Sequence, residues 1–217
     1  MPFIDRSDAG RQLAKALAGY RSQKPVILAL PRGGVPVAAE IATALNAPLD
    51  LMLIRKIGVP WQPELAMGAV ADGKTPIVIR NEQVIRYAGV EQADFDSVCA
   101  RELAEIERRK RVYLGDRASV DLKGRVAILV DDGIATGASV RAALGAIRSR
   151  QAKAIVLAVP VAPVDTLRLI GQEVDNVVCL EQYEDFGAIG LYYGDFAQLK
   201  DQQVIDILAQ FPSRASP

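Results

Sequence analysis

Histidine is absent from this 217-residue chain, and it holds only two cysteines and one tryptophan. Without histidine there is no Ser-His-Asp or Cys-His hydrolase, no His-ligated zinc site and no imidazole acid–base catalysis. Cys99 and Cys179 cannot form a disulfide framework and are expected in apolar packing. Charge of either sign is not in excess. The 26 Lys and Arg balance 26 Asp and Glu, which argues against generic binding to nucleic acid or to a membrane surface. There is no secretory apolar segment and no run of roughly eighteen apolar residues, so a cytoplasmic protein is expected. A chain of this length can bury roughly 70% of its unfolded surface without disulfides or a structural metal. What remains is chemistry carried by carboxylates, Arg, Lys and backbone amides.

Apolar runs alternate with helical patterns along the sequence. Pro25–Leu30, Leu49–Ile54, Val126–Val130, Ala154–Val159 and Asn176–Leu180 read as strands. Val35–Leu45, Glu91–Arg111, Val140–Arg150 and Asp165–Gly171 read as helices, with an amphipathic helix in the first 20 residues. Ala66–Val70 and Pro76–Ile79 read as shorter strands around an Asp72-Gly73 turn. Continuous apolar strands alternating with helices predict an α/β fold, a parallel twisted sheet covered on both faces. Ile57–Met67 carries Gly58, Pro60 and Pro63 and is expected as a movable loop, and Pro212–Pro217 as a frayed tail.

The strongest chemical signal is Val126–Ser139. An apolar strand ends in Asp131 and Asp132, then Gly133, Ile134, Ala135, Thr136, Gly137, Ala138 and Ser139 lead into a helix. In an open parallel sheet the ligand crevice lies at the carboxyl ends of strands. Small residues before a helix let backbone N–H groups converge on an anion, and the helix dipole adds to the attraction. Two carboxylates beside such a site suit a vicinal diol or hydrated Mg²⁺. Together they describe a ribose 5-phosphate. The pattern is neither a Walker A loop nor a dinucleotide fingerprint.

VAILVDDGIATGAS resembles the phosphoribosyl pyrophosphate (PRPP) signature of the type I phosphoribosyltransferases, and three further segments follow that family's order, so the resemblance covers most of residues 20–195. It is greatest to the bacterial members whose acceptor base is unassigned. The resemblance implies a three-layer α/β domain over residues 1–217. Its core would span about residues 20–180, under a small hood drawn from about residues 181–210 and the N-terminal helix. It further implies that Asp131 and Asp132 bind the ribose hydroxyls and, through water, Mg²⁺, while Ala135 to Ser139 cradle the 5′-phosphate. Leu30-Pro31-Arg32-Gly33-Gly34 resembles the pyrophosphate loop, in which a non-proline cis peptide exposes amides to the leaving group. Arg55 and Lys56, at the end of the second strand, resemble the base of a flexible lid; with Arg32 they are the expected catalytic cations. Trp61 stands where a small lid residue is expected. Tyr183–Phe196 is dense in aromatics and resembles the base-binding hood, with Phe186 as the stacking residue.

The implied reaction is Mg²⁺-dependent transfer of ribose 5-phosphate from PRPP to a nitrogen base. The expected partners are PRPP, an unidentified base and a second copy of the chain, since family members are commonly dimers, with no nucleic acid and no membrane. Arg101–Arg117 reads as a solvated helix face or a dimer surface. Two rival readings are a PRPP-sensing regulator of nucleic acid and a metal-dependent phosphohydrolase using the Asp pair. The 6-oxopurine enzymes of the family carry an Asp just before the Thr-Gly of the signature. Ala135 stands there in this chain and offers no hydrogen bond, so hypoxanthine and guanine are expected to be poor acceptors.

Overall fold

The computed structural model describes residues 1–72 and 76–211. Gly73 of the expected turn and the tail from Pro212 lie outside the described residues. The chain runs α1 (Arg6–Ala16), β1 (Val26–Ala29), α2 (Gly34–Leu45), β2 (Leu49–Leu51), β3 (Ile54–Val59), β4 (Gln62–Ala71), β5 (Ile77–Arg80), α3 (Glu82–Ala88) and α4 (Gln92–Leu114). It continues through β6 (Val126–Val130), α5 (Ala138–Ser149), β7 (Ala154–Pro163), α6 (Val164–Gly171), β8 (Asn176–Tyr183), a 3-10 turn (Ile189–Tyr192) and α7 (Asp201–Ala209).

Five strands form a parallel sheet in the order β2-β1-β6-β7-β8. Their apolar side chains alternate between two cores, as the two-residue period of a strand requires. Ile27, Ala29, Ile128 and Val130 face α1, α2, α4 and α7, while Val26, Leu28, Ala127 and Leu129 face α5 and α6. Full burial of each large side chain stabilises by roughly 1.5–3 kcal/mol. From β1 the chain crosses outward to β2, and from β6 it crosses the other way through β7 to β8. The direction of winding therefore reverses between β1 and β6. Crevices at such points bind ligands at the carboxyl ends of the strands, and there the Pro31–Gly34 and Asp131–Ser139 turns lie side by side. Among the described residues no helix is long and apolar enough to cross a membrane.

Several sequence expectations need correction. Ile57–Met67 is not an irregular loop: it is the turn end of a β3–β4 hairpin in a second, antiparallel sheet of order β3-β4-β5. Val59 pairs with Gln62 and Gly58 with Ala66, so residues 63–65 bulge outward. The bulge accommodates Pro63, which has no N–H to give to a ladder. Gly and Pro therefore marked a turn and a bulge. Arg55 and Lys56 do not end β2. That strand stops at Leu51, and both residues lie within β3. The reading also missed α3, whose N-terminus is capped by the Asn81 side chain accepting from the Val84 N–H at 3.2 Å. It missed α7 as well, whose Val204 and Leu208 are buried. Of the expected solvated face on Arg101–Arg117, Glu105 pairs with Arg108 and Arg109 at 2.7 and 2.8 Å. Arg117 instead turns inward and donates to the carbonyls of Leu49 and Leu208. Cys99 is buried and Cys179 half-buried, both as free thiols.

Candidate active site

Asp131 follows directly on β6. Its Oδ1 accepts from the Asp132 N–H at 2.9 Å. The loop then crosses under β7, where the Ile134 N–H donates to the Val161 carbonyl at 3.0 Å. Gly137 caps α5 with φ +75°, a left-handed backbone that a side chain would strain. Ala135, Thr136, Ala138 and Ser139 remain exposed around it. The first N–H groups of a helix have no intrahelical partner, so this exposed end of α5 is suited to an anion. Thr166 braces the loop from α6 by donating its hydroxyl to the Ala135 carbonyl at 2.9 Å.

The turn after β1 packs directly on this acidic pair. The Pro31–Arg32 peptide is cis. A side chain at Gly33 would place its Cβ 2.0 Å from Asp132 Oδ2, and one at Gly34 would place it 2.7 Å from the Val130 carbonyl oxygen. These glycines are required by closeness, since Gly33 itself has ordinary helical dihedrals (φ −61°, ψ −38°). A small cleft of about 80 Å³ opens here, lined among others by Pro31, Arg55, Arg109, Asp131 and Ser139. Burial, with the negative charge of Asp132 beside it, pushes the Asp131 carboxyl well above the ordinary carboxylate range. Burial also raises Asp132, with the Arg6 guanidinium pulling the other way.

The expected cations divide among three places. Arg55 and Lys56 are neighbours in a strand and project to opposite faces. Arg55 lines the cleft with Asp131, held by Glu102 of α4 at 2.7 Å. Lys56 pairs with Glu64 at 3.0 Å and lines a second groove, between the hairpin sheet and α5, that shares Ser139 with the cleft. The guanidinium of Arg32 turns toward α7, 3.6 Å from Asp201. Phe186 stacks on Tyr192, with ring centres 5.1 Å apart, and Tyr192 stacks in turn on Tyr183 at 4.6 Å. Its described ring contact is therefore within the aromatic cluster. The segment after β8 touches the acidic loop elsewhere, through Ile189, which lies over Gly133.

Three residues near the site were not read from the sequence. Arg109 lines the cleft from α4. Tyr193 is buried and donates its hydroxyl to the Asp132 carbonyl. Arg6, at the start of α1, donates from Nε to Asp132 Oδ2 at 2.7 Å. The only sequence signal for Tyr193 was the local density of aromatics, and Arg6 had none.

The profile of the phosphoribosyl transferase domain matches residues 5–194, and the chain belongs to that family. The protein Rv0571c of Mycobacterium tuberculosis (strain ATCC 25618 / H37Rv), named provisionally as a phosphoribosyl transferase, is 45% identical over 206 residues. That alignment takes in 95% of this chain and 46% of the relative. The chain thus spans about half the length of the curated relatives it matches. The crystal structure of TT1426 from Thermus thermophilus is similar over 98% of this chain and 100% of that one, with 40% identity and a TM-score of 0.86. The AQ2163 protein of Aquifex aeolicus, 12% identical at a TM-score of 0.52 over 96% of this chain and 87% of that one, shares the fold alone.

Proposed function

We propose that the chain is a phosphoribosyltransferase domain that binds PRPP with Mg²⁺ and transfers its ribose 5-phosphate to a nitrogen base. One observation carries the reading: the acidic turn after β6, the exposed start of α5 and the glycine turn after β1 meet at the sheet's switch point around one cleft. The 5′-phosphate would take the amides of residues 135–139 and the hydroxyls of Thr136 and Ser139. Asp131 would accept from a ribose hydroxyl or from water on the metal, a contact that offsets the cost of its burial. The donor set fits such a cation: one carboxylate together with the substrate's own phosphates is a usual way that Mg²⁺ is held. When bound it supplies positive charge against the leaving pyrophosphate.

In the reaction the base nitrogen bonds to C1′ while the C1′–oxygen bond to pyrophosphate breaks, its electron pair leaving with the pyrophosphate and the nitrogen's proton passing to the pyrophosphate or to water. No protein nucleophile is needed, in keeping with a chain that lacks histidine. Catalysis is then positioning and charge stabilisation, with Arg55 and Arg109 the cations already lining the cleft. Arg32 would join them only after releasing Asp201. Calorimetry tests the reading. PRPP with Mg²⁺ should bind, and Asp131→Asn should weaken it by roughly 10-fold or more, the worth of one charge-assisted hydrogen bond. Unchanged affinity in the variant, or no pyrophosphate release from PRPP with any of a panel of purines, pyrimidines and amines, overturns it.

A further inference from the structure

We propose that one face of α4 builds the pyrophosphate end of the cleft: Arg109 is a catalytic cation working beside Arg55, and buried Glu102 is the positioning residue that aims Arg55 at the leaving group. This rests on the PRPP reading and deepens it by naming what α4 adds. Glu102, Ile106 and Arg109 follow one another at spacings of four and three residues, so they share one side of the helix. Ile106 and Arg109 line the cleft, and Glu102 reaches it through Arg55.

The lining of the cleft is uneven. Asp131 and Ser139 are taken by the ribose and the 5′-phosphate in the proposed function. Beyond them the wall is apolar, with Met52, Ile54 and Ile106 in it, and among the described residues only the guanidiniums of Arg55 and Arg109 add charge. Charge that develops on a leaving pyrophosphate is stabilised most by groups already fixed in such surroundings.

Both arginines are braced by carboxylates of α4. Arg55 Nε donates to Glu102 Oε2 at 2.8 Å, and its Nη2 lies 2.7 Å from the same oxygen. Glu102 Oε1 accepts from Arg101 Nε and Nη2 at 3.2 and 3.1 Å. The Glu102 side chain is only 8% exposed, and a buried carboxylate that loses a cationic partner is costly. The pair therefore fixes where the Arg55 head sits, and among the described residues its Nη1 has no hydrogen-bond partner. Arg109 is held through Nε, which donates to Glu105 Oε1 at 2.8 Å; among the described residues neither Nη has a hydrogen-bond partner. Hydrogen bonds from Arg108 and Arg109 hold the Glu105 carboxyl down to about 2, so this brace is charged at neutral pH. Each head keeps donors for an anion while its carboxylate restrains it, which spares part of the cost of ordering a long side chain on binding.

The test is calorimetry with inorganic pyrophosphate and Mg²⁺, with urea unfolding on each protein to show that it is folded. Arg109→Gln should weaken pyrophosphate by roughly 10-fold or more, the worth of a hydrogen bond to a charged group, and by the same factor in the Arg55→Ala background. Arg108→Gln, which removes the other cation on Glu105 but none from the cleft, should leave the affinity unchanged. Glu102→Asp keeps the charge but draws the carboxylate back from Arg55. It should weaken pyrophosphate by roughly 2- to 12-fold, the cost of ordering one long side chain, and by nothing further in the Arg55→Ala background. Wild-type affinity in Arg109→Gln overturns the proposal, and so does an equal effect of Glu102→Asp in both backgrounds, the mark of a merely structural residue. The Arg108 and Arg109 variants decide the matter even if Glu102→Asp fails to fold. Pyrophosphate bound through these residues, with no transfer from PRPP to any base, overturns the proposed activity and leaves the role of α4 standing. Transfer that persists at the wild-type rate in Arg109→Gln and Glu102→Asp does the reverse.

Discussion

Replacing Gly33 by Ala isolates the contact on which the acidic pair depends. Gly33 has φ −61° and ψ −38°, which Ala adopts freely, so the substitution brings no backbone strain. On conformational grounds alone Ala should even stabilise, by roughly 0.5–1 kcal/mol. The added Cβ, however, would sit 2.0 Å from Asp132 Oδ2 and 2.4 Å from its Cγ. Ordinary contact begins near 3.4 Å, so the carboxylate must retreat by about 1.4 Å. That oxygen is the one bonded to Arg6 at 2.7 Å. Arg6 cannot simply follow while it is also held by Ala197 and Phe196. Breaking a buried pair costs about 3–5 kcal/mol. Less the conformational gain, Gly33→Ala should destabilise by about 2–4 kcal/mol.

Urea unfolding of the wild type, Gly33→Ala, Asp132→Ala and the double variant measures this. Asp132→Ala carries its own cost by stranding Arg6, and the cycle subtracts it. With the carboxylate gone, Gly33→Ala should show only its conformational gain of roughly 0.5–1 kcal/mol. The interaction energy should then be about 3–5 kcal/mol, the cost of the broken pair. Additive costs would refute the reasoning, because a clash with Asp132 cannot persist without Asp132.

Arg55→Ala should lower turnover of PRPP by roughly 10²-fold, as for loss of a preorganised cation, while Lys56→Ala should leave kcat and KM near the wild-type values. Equal losses in steady-state kinetics would mean that both faces of the hairpin serve the cleft. Asp72 is buried, and its carboxyl is pushed up to about 6 chiefly by desolvation, even though it accepts from the Leu53 N–H at 3.0 Å. The folded state therefore binds the proton more tightly than the unfolded state. Asp72 costs nothing below the unfolded value of 3.8, its cost grows as pH rises toward 6, and it is fully present above. Asp72→Asn keeps an acceptor for Leu53 and should remove that loss, up to about 3 kcal/mol at neutral pH; unfolding curves with the same slope between pH 4 and 7 in both proteins would contradict it. Hypoxanthine and guanine should be poor acceptors because Ala135 offers them no hydrogen bond, and pyrophosphate release with either at ~1 s⁻¹ or faster, an ordinary enzymatic rate, would disprove this.

The sheet and the acidic turn were legible because their signals are local. A buried strand, two acids, small residues and a helix start follow one another within residues 126–139, so contiguity alone assembles a strand end and a phosphate loop. The hairpin was not legible, because Gly58 and Pro63 give the same local signal in a loop as in a bulged strand pair. What decides between them is the pairing of Lys56 with Ala69 and of Ile57 with Gly68 across the hairpin. Once β3 is a strand, alternation separates Arg55 from Lys56, and a motif of two adjacent cations becomes one cation at the cleft.

Arg6 lies 126 residues from Asp132, and no periodicity or spacing connects them. The link is made by packing. Phe3, Ala9, Val161 and Tyr193 bury one another in a small core of their own, and that core brings the first helix to the mouth of the sheet. The same reasoning applies to Arg32. Adjacent to the cleft in sequence, it is drawn to Asp201 by the docking of α7, and Tyr113 donates its hydroxyl to the same carboxylate oxygen at 2.6 Å. Sequence thus identifies the residues that strand ends deliver to a site. Which of them line the cleft depends on partners supplied by the chain termini: Arg6 pairs with Asp132 while Asp131 lines the cleft, and Asp201 holds Arg32 while Arg55 and Arg109 line it.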